Sequence, residues 1–204
     1  MIVDSVFKWD TDSLQQLAAP VYSTRYWQSF EIDDLLPGNS RYKELDSIPE
    51  ISLPFRNKED TTAKRSNGVD YYITTRDFFE GQDHYASANA GDFDVCRGYL
   101  KNDTLCISIG TKVGFGDSGF RIYMVQGRFT TMPYRSYCVI TEDALVPLFA
   151  PLWQRLVLSK QSYSLGDSLY GYISFGATYY DVGGSAFGYK ANGFFRTVIK
   201  KRDW

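Results

Sequence analysis

Two runs of alternating apolar and polar residues, at positions 168–180 and 187–200, predict a long β-hairpin. Successive residues of a strand point to opposite faces of a sheet, so every second position of each run shares one face. Ile173 and Phe175 fall on the apolar face of the first run, and Phe195 falls on that of the second. We expect this face to be buried, with Phe195 in the core.

The connection between these runs, residues 181–185, decides how the two strands pair. A three-residue loop whose last glycine takes a positive φ is a common hairpin closure. A two-residue turn at Gly183 and Gly184 would shift the pairing by one residue and set apolar positions beside polar ones. We therefore predict the odd-length loop, which pairs Tyr179 with Phe187, Ala177 with Tyr189, Phe175 with Ala191, Ile173 with Gly193, and Gly171 with Phe195.

Shorter runs with strand character, joined by glycine and asparagine turns, precede the hairpin. The predicted strands are 69–75, 94–100, 105–113, 119–126, 128–134, 136–141 and 154–159. Short strands at such regular spacing indicate a mainly β fold, either an antiparallel β-sandwich or a flattened barrel. A length of 204 residues suits one β-rich domain, with a loop-rich segment at 1–67 and a strand-dense core at 68–204.

One or two short helices are expected beside the strands. Residues 10–19 carry helix-capping residues at their start and are followed by Pro20. Apolar residues also recur at helical spacing near 142–150, although Pro147 and Pro151 exclude one long regular helix.

The remaining segments predict loops. Residues 21–67 show a weak pattern with a strong turn at 37–39, and residues 76–92 predict a loop or one irregular helical turn. His84, the single histidine, is expected in that loop.

Composition supports strands and leaves the charge uneven along the chain. The 16 Tyr, 14 Phe and 17 Gly favour strands and tight turns. Residues 1–92 carry 16 acidic and 9 basic side chains, whereas residues 93–204 carry 8 acidic and 13 basic ones. Either the two halves neutralise each other on folding, or the acidic half meets a basic protein partner. The overall net charge of −2 gives no polyanion-binding signature, so we expect no nucleic-acid partner.

Membrane, export and redox signals are weak. No run approaches the roughly 18 to 20 apolar residues of a membrane helix, and residues 1–4 lack the features of a signal peptide. Cys96, Cys106 and Cys138 are an odd number, which indicates buried free thiols rather than a disulfide framework. We expect a cytoplasmic chain without a membrane span, with an exported mature chain as the alternative.

Motifs that resemble catalytic ones lack their required context. Residues 114–119 match GxGxxG, but strand residues follow where a dinucleotide site needs a helix. Residues 116–119 read GDSG, yet His84 lies too close in sequence for a trypsin-like second barrel. A single histidine also excludes metal sites that need several histidines. We therefore predict no catalytic residue, no metal and no cofactor.

Two sets of residues are candidates for binding a partner, one aromatic and basic on the hairpin and one acidic in the N-terminal segment: Tyr170, Tyr172, Phe194, Arg196, Glu31, Asp33 and Asp34. The predicted register places Tyr172 opposite Phe194 on the even-numbered face. The rings of this face either support the sheet beneath the N-terminal segment or form an exposed patch. An exposed patch would have the composition favoured at protein-binding hot spots.

These features favour a non-catalytic protein that binds another protein, of the inhibitor, immunity or adaptor type. A carbohydrate-binding β-sandwich is one alternative, because exposed tyrosines also stack on glycans. A hydrolase built on carboxylates is a second alternative, because paired Asp and Glu residues leave no sequence motif.

Overall fold

Eleven strands and one α-helix lie within the residues that a computed structural model describes, which are 26–48, 65–76, 83–88, 95–101, 103–113, 116–135, 148–180 and 186–201. The strands form one mainly antiparallel sheet that nearly closes into a barrel. They are β1 (Gln28–Ser29), β2 (Glu31–Ile32), β3 (Asn67–Arg76), β4 (Asp83–Ala88), β5 (Val95–Lys101), β6 (Thr104–Val113), β7 (Gly116–Val125), β8 (Arg128–Arg135), β9 (Leu148–Leu158), β10 (Ser168–Tyr180) and β11 (Ala186–Lys201). The helix α1 spans Ser40–Ser47 and follows a 3₁₀ turn at Leu36–Gly38.

The hairpin of β10 and β11 pairs in the predicted register. Tyr179 lies opposite Phe187 at one end and Gly171 lies opposite Phe195 at the other, and the three predicted pairs between them are also present. Phe195 is fully buried, as expected. The connection itself, residues 181–185, lies outside the described residues.

Strand β11 holds the sheet together, because its second edge pairs with two different strands. Residues 187–195 pair antiparallel with β3, and residues 199–201 pair in parallel with β5. From β5 the sheet continues as an antiparallel meander through β6, β7 and β8, and from β10 it continues to β9. Strand β4 lies outside this path and pairs with β3.

A short stretch of chain joins the two far strands of the sheet. Strand β1 pairs with β8 and β2 pairs with β9, so residues 28–32 bridge β8 and β9. The side chain of Gln154 adds a second bridge. Its Oε1 accepts a hydrogen bond from the Thr131 amide at 2.9 Å, and its Nε2 donates to the Tyr26 carbonyl at 2.6 Å. We call this junction of β8, β9 and residues 28–32 the seam.

Large side chains fill the interior of the barrel. The Phe120 ring lies 4.9 Å from the Phe175 ring and 5.8 Å from the Tyr71 ring, measured between centroids. The fully buried aromatic residues are Tyr71, Tyr189, Phe120, Phe129, Phe175 and Phe195. The alternation of apolar residues along the strands is therefore explained by a packed core.

The expected helix near 142–150 is wrong where the structure describes it, because β9 already begins at Leu148. Between Gly176 and Ala177 the pairing with β10 shifts by one residue, which makes Leu152 an extra residue of a β-bulge beside Pro151. Proline lacks an amide hydrogen, and bulges are one of the few places where a sheet accepts it. Residues 10–19 and 136–141 lie outside the described residues.

Two segments that were expected to be loops contain regular structure. Asp83–Ala88 forms β4, so His84 belongs to a strand. Residues 40–47 form α1, and Oδ1 of Asn39 caps it by accepting a hydrogen bond from the Arg41 amide at 3.0 Å. The helix has the sequence SRYKELDS, whose two apolar residues are too few to show a helical pattern.

Neither of the two described cysteines is in a disulfide, and the two differ in burial. Cys96 is buried and pairs with Ile109, while Cys106 is only half-buried and pairs with Tyr99. The expectation of buried thiols therefore holds for Cys96 and only partly for Cys106. Cys138 lies outside the described residues. In the described part of the chain no helix is long and apolar enough to cross a membrane.

Candidate functional site

The four candidate residues of the hairpin lie on one face of the sheet, as the register predicts. Tyr172 is opposite Phe194, and Tyr170 is opposite Arg196. The rings of Tyr172 and Phe194 contact each other with centroids 5.0 Å apart. All four side chains are half-buried.

Helix α1 covers part of this face. Tyr42 of α1 is buried and meets Tyr170 and Phe194 edge-on, with centroid distances of 5.0 and 5.9 Å. Its hydroxyl donates a hydrogen bond to the Gly171 carbonyl at 3.0 Å. Tyr170 and Phe194 therefore lie beneath the N-terminal segment, and they do not form an exposed aromatic patch.

Arg196 fastens α1 to β11. Its guanidinium forms an ion pair with Asp46 at 2.8 Å and donates to the backbone carbonyls of Arg65 at 3.1 Å and Tyr42 at 3.4 Å. The side chain is 19% exposed. These contacts give Arg196 a structural role. Tyr172 lies beside the covered area, where its hydroxyl donates to Oδ1 of Asn192 at 2.6 Å.

The acidic candidates lie next to β9, and two of them have structural partners. Both carboxylate oxygens of Glu31 accept hydrogen bonds from Arg155, at 2.8 and 2.7 Å. These hydrogen bonds lower the pKa of Glu31. Oδ1 of Asp33 accepts from the Leu35 amide at 3.0 Å. Asp34 is exposed.

The same side of the sheet also carries two exposed aromatic residues that the sequence did not single out. Strand pairing places Trp153, Gly176, Lys190 and Tyr72 in one row across β9, β10, β11 and β3. Trp153 is 44% exposed and Tyr72 is 49% exposed. Three strand spacings separate the two residues, a distance of about 14 Å.

Polar residues form the row next to that of the two rings. Arg155, Ser174, Asn192 and Asp70 are aligned across the same four strands. We call the outward positions of these two rows, together with Tyr172, the Trp153–Tyr72 face. It combines exposed rings at its two sides with a polar centre.

Trp153 and Tyr172 of this face are both held in place by neighbouring residues. Gly176 leaves room for the indole, since a Cβ there would lie 2.6 Å from Nε1 of Trp153. The hydrogen bond to Asn192 holds Tyr172. A surface held in this way loses little conformational freedom when it binds.

Two open clefts lie in this region, one beside the hairpin and one at the seam. One, of about 460 Å³, lies between α1 and the hairpin and is lined by Asp46, Ser66, Tyr170 and Arg196, among others. The other, of about 270 Å³, lies at the seam beside Trp153. Among the described residues, no group of three or more His, Cys, Asp or Glu side chains is placed to hold a metal ion.

Comparisons with models of protein families, with curated proteins and with solved structures give no significant match.

Proposed function

We propose that this chain is a non-catalytic binding protein that holds another protein on its Trp153–Tyr72 face. The observation that carries the proposal is the placement of two half-exposed aromatic rings in one row of the sheet. Tryptophan, tyrosine and arginine are the residues that contribute most to binding energy at protein interfaces.

The charges on this face indicate what the partner offers. Lys190 lies in the row between Trp153 and Tyr72, and Asp34 is exposed beyond β9. A partner that fits presents apolar groups to the two rings and a hydrogen-bond acceptor to Lys190. Basic groups at its edge would be attracted by Asp34 during association, which increases the rate of binding more than its strength.

The polar row favours a second candidate, an extended glycan. Ser174, Asn192 and Asp70 supply hydroxyl, amide and carboxylate groups in the row beside the two rings. Sugars present apolar ring faces and many hydroxyls, so both the rings and the polar row would contact them. The two candidates use the same residues and differ in the class of ligand.

The test begins with capture of partners from a native lysate on immobilised protein, followed by kinetic measurements with each purified partner. Trp153→Ala and Tyr72→Ala are compared with Leu165→Ala, since Leu165 is 54% exposed and lies outside the face. We expect each aromatic variant to raise the dissociation rate about 30-fold, as for a typical hot spot. Leu165→Ala should bind like the wild type.

The outcomes separate the candidates. A captured protein whose affinity is unchanged in both aromatic variants overturns the protein-binding proposal for this face. Binding of an oligosaccharide from a glycan array that is lost in Trp153→Ala supports the glycan and contradicts a protein partner.

A further inference from the structure

Helix α1 lies over a direct continuation of the Trp153–Tyr72 face. Every second residue of β11 from position 190 to position 196 points to the same side of the sheet. Positions 190 and 192 are exposed, whereas Phe194 and Arg196 are half-buried and contact α1. The two parts meet where the ring of Tyr172 contacts that of Phe194, with centroids 5.0 Å apart. One surface of the sheet is therefore exposed at one end and covered by α1 at the other.

The covered part has the residue types of a binding surface. Tyr170 lies opposite Arg196 across the hairpin, and Phe194 is on the same face. Tyrosine and arginine are enriched among the residues that dominate binding energy at protein interfaces, and phenylalanine is enriched in interfaces as a whole. These three side chains would extend the contacts that Trp153 and Tyr72 offer if α1 moved away.

The apolar residues that hold α1 are separate from the core of the barrel. Leu36, Tyr42 and Leu45 form a buried cluster of their own, against which Tyr170 and Phe194 pack from the sheet. The interior of the barrel forms a different and larger cluster. Departure of α1 would therefore uncover Tyr170 and Phe194 and leave the barrel core buried.

The C-terminal end of α1 is attached through polar contacts that water can reach. Asp46 forms its ion pair with Arg196 at 2.8 Å, and the Asp46 side chain is 38% exposed. Just after the helix, the Ile48 carbonyl accepts a hydrogen bond from the Arg65 amide at 3.3 Å. The cleft of about 460 Å³ is lined by both Asp46 and Arg196. A helix of eight residues is too short to persist in water by itself, so α1 is helical because it is docked.

The segment before α1 is fixed to β9. Strand β2 pairs with the end of β9, and the Asp33 amide donates a hydrogen bond to the Leu158 carbonyl at 2.9 Å. Glu31 is joined to Arg155 of β9 by two hydrogen bonds. Residues 34–48, which we call the α1 cover, can therefore leave the sheet as one unit while residues 28–33 stay in place.

We propose that the α1 cover inhibits partner binding by occupying the continuation of the Trp153–Tyr72 face, and that it leaves the sheet when the partner binds. The inference rests on the proposed function and states how that same site is regulated. Opening lengthens the exposed face from about 7 Å, between positions 190 and 192 of β11, to about 20 Å, between positions 190 and 196. It also releases the Arg196 guanidinium from Asp46, so that Arg196 can pair with a carboxylate of the partner. The closed cover lowers the apparent affinity, because only the open fraction of the protein binds fully.

Native-state hydrogen exchange of the full chain, in urea below the unfolding transition, tests whether the cover opens by itself. We expect the amides of α1 to exchange through a local opening at least tenfold more frequent than the opening of β10. Asp46→Asn should speed exchange in α1 about two- to fivefold and leave β10 unchanged, since the ion pair is partly exposed. Glu44→Gln is the matched control, because the ion pair of Glu44 with Arg41 lies within the helix. The same opening frequency in α1 and β10 overturns the inference.

A disulfide that keeps the cover closed tests what the cover hides. Cδ2 of Leu45 would lie 3.0 Å from a Cβ at Gly68, so the double variant Leu45→Cys, Gly68→Cys brings two thiols together between helix and sheet. Peptide mapping checks that the disulfide joins positions 45 and 68. The dye ANS, which binds exposed apolar surface, should fluoresce more strongly with the reduced form than with the oxidised form. Equal fluorescence of the two forms contradicts an opening that exposes Tyr170 and Phe194.

A partner captured on the Trp153–Tyr72 face separates failure of this inference from failure of the proposed function. The oxidised double variant should bind that partner at least tenfold more weakly than the reduced form, and Asp46→Asn should bind it more tightly than the wild type. Equal binding of the oxidised and reduced forms overturns the inhibitory role of the cover, even when Trp153→Ala shows that the face is used. Unchanged binding in Trp153→Ala and Tyr72→Ala overturns the proposed function instead, while exchange and dye binding still decide whether the cover opens.

Discussion

The Phe195 ring lies directly over Gly171, its partner across the hairpin, so that a Cβ on Gly171 would be 2.2 Å from Cζ of Phe195. Phe195 is fully buried, so the ring cannot move into solvent. We expect Gly171→Ala to lower the free energy of unfolding by about 1 to 3 kcal/mol, the usual cost of overpacking. Phe195→Ala should cost about 3 to 5 kcal/mol as a large-to-small core change.

Urea unfolding of the two single variants and the double variant measures this relationship. The double variant should lose less than the sum of the single losses, because the clash disappears with the ring. Gly38→Ala is the control, since nothing lies within 4 Å of a Cβ there. Additive losses would show that the two residues do not touch.

Removing one hydroxyl should weaken the attachment of α1 to the sheet. Tyr42→Phe deletes the hydrogen bond to the Gly171 carbonyl and should cost about 1 kcal/mol of unfolding free energy. Burial raises the pKa of Tyr42, so the folded state keeps its proton where the unfolded chain loses it. The stabilisation of the folded state by protonated Tyr42 is complete below the ordinary tyrosine pKa of about 10 and is lost as the pH rises above it.

Unfolding measured at neutral pH and again above pH 10 checks both effects. The wild type should lose more stability between the two conditions than Tyr42→Phe does. Equal losses would mean that Tyr42 ionises as readily in the folded protein as in the unfolded chain.

The ion pair between Glu31 and Arg155 should make the docking of β2 on β9 sensitive to acid. The hydrogen bonds from Arg155 lower the pKa of Glu31, so the folded state favours the charged carboxylate. Its contribution is present above the ordinary glutamate pKa of about 4.3 and is lost as the pH falls through the lowered value. Glu31→Gln should therefore reduce the difference in stability between neutral and acidic pH.

Thermal unfolding across this pH range, with Arg155→Gln and the double variant, measures the effect. The two single changes should not add, because each removes the same pair. The pair is exposed, so the effect should shrink in high salt. An unchanged acid response in Glu31→Gln would contradict the role of this pair.

Gln154 should be needed to close the seam. Gln154→Leu removes the acceptor of the Thr131 amide and the donor to the Tyr26 carbonyl. A buried amide without a partner costs about 1 to 3 kcal/mol. Hydrogen exchange should become faster at residues 28–32 in this variant and remain slow in β10. Unchanged exchange at the seam would show that the backbone pairing of β1 and β2 holds it without the side chain.

The sequence predicted those parts of the fold that local pattern controls. The register of β10 and β11 follows from alternation and from the length of one loop, and it was confirmed at all five pairs. The strands at 94–100 and 105–113 were predicted from the same alternation, and they correspond to β5 and β6. By contrast, the prolines in residues 147–151 predicted a break in regular structure, whereas Pro151 lies within β9. The bulge that accommodates Pro151 depends on pairing with β10, and the local sequence does not show that pairing.

The candidate surface was less predictable, because the segment that covers a sheet face can come from a distant part of the sequence. Tyr42 and Gly171 are 129 positions apart, and nothing in either segment indicates that they meet. The row from Trp153 to Tyr72 depends on four strands from distant parts of the chain. Tyr72 was assigned to a strand, but its outward neighbours follow only from the pairing of β3 with β11.

The position of β11 has a consequence for how the protein is made. Strands β3 and β5 are synthesised early, but both pair with β11, which follows every other described strand in the sequence. Until the ribosome has released residue 201, the barrel has two halves with unpaired edges. Such edges invite pairing with other chains. We therefore expect the sheet to close only after β11 has emerged from the ribosome, with slow folding dominated by distant contacts, and the nascent chain to depend on chaperones until β11 is in place.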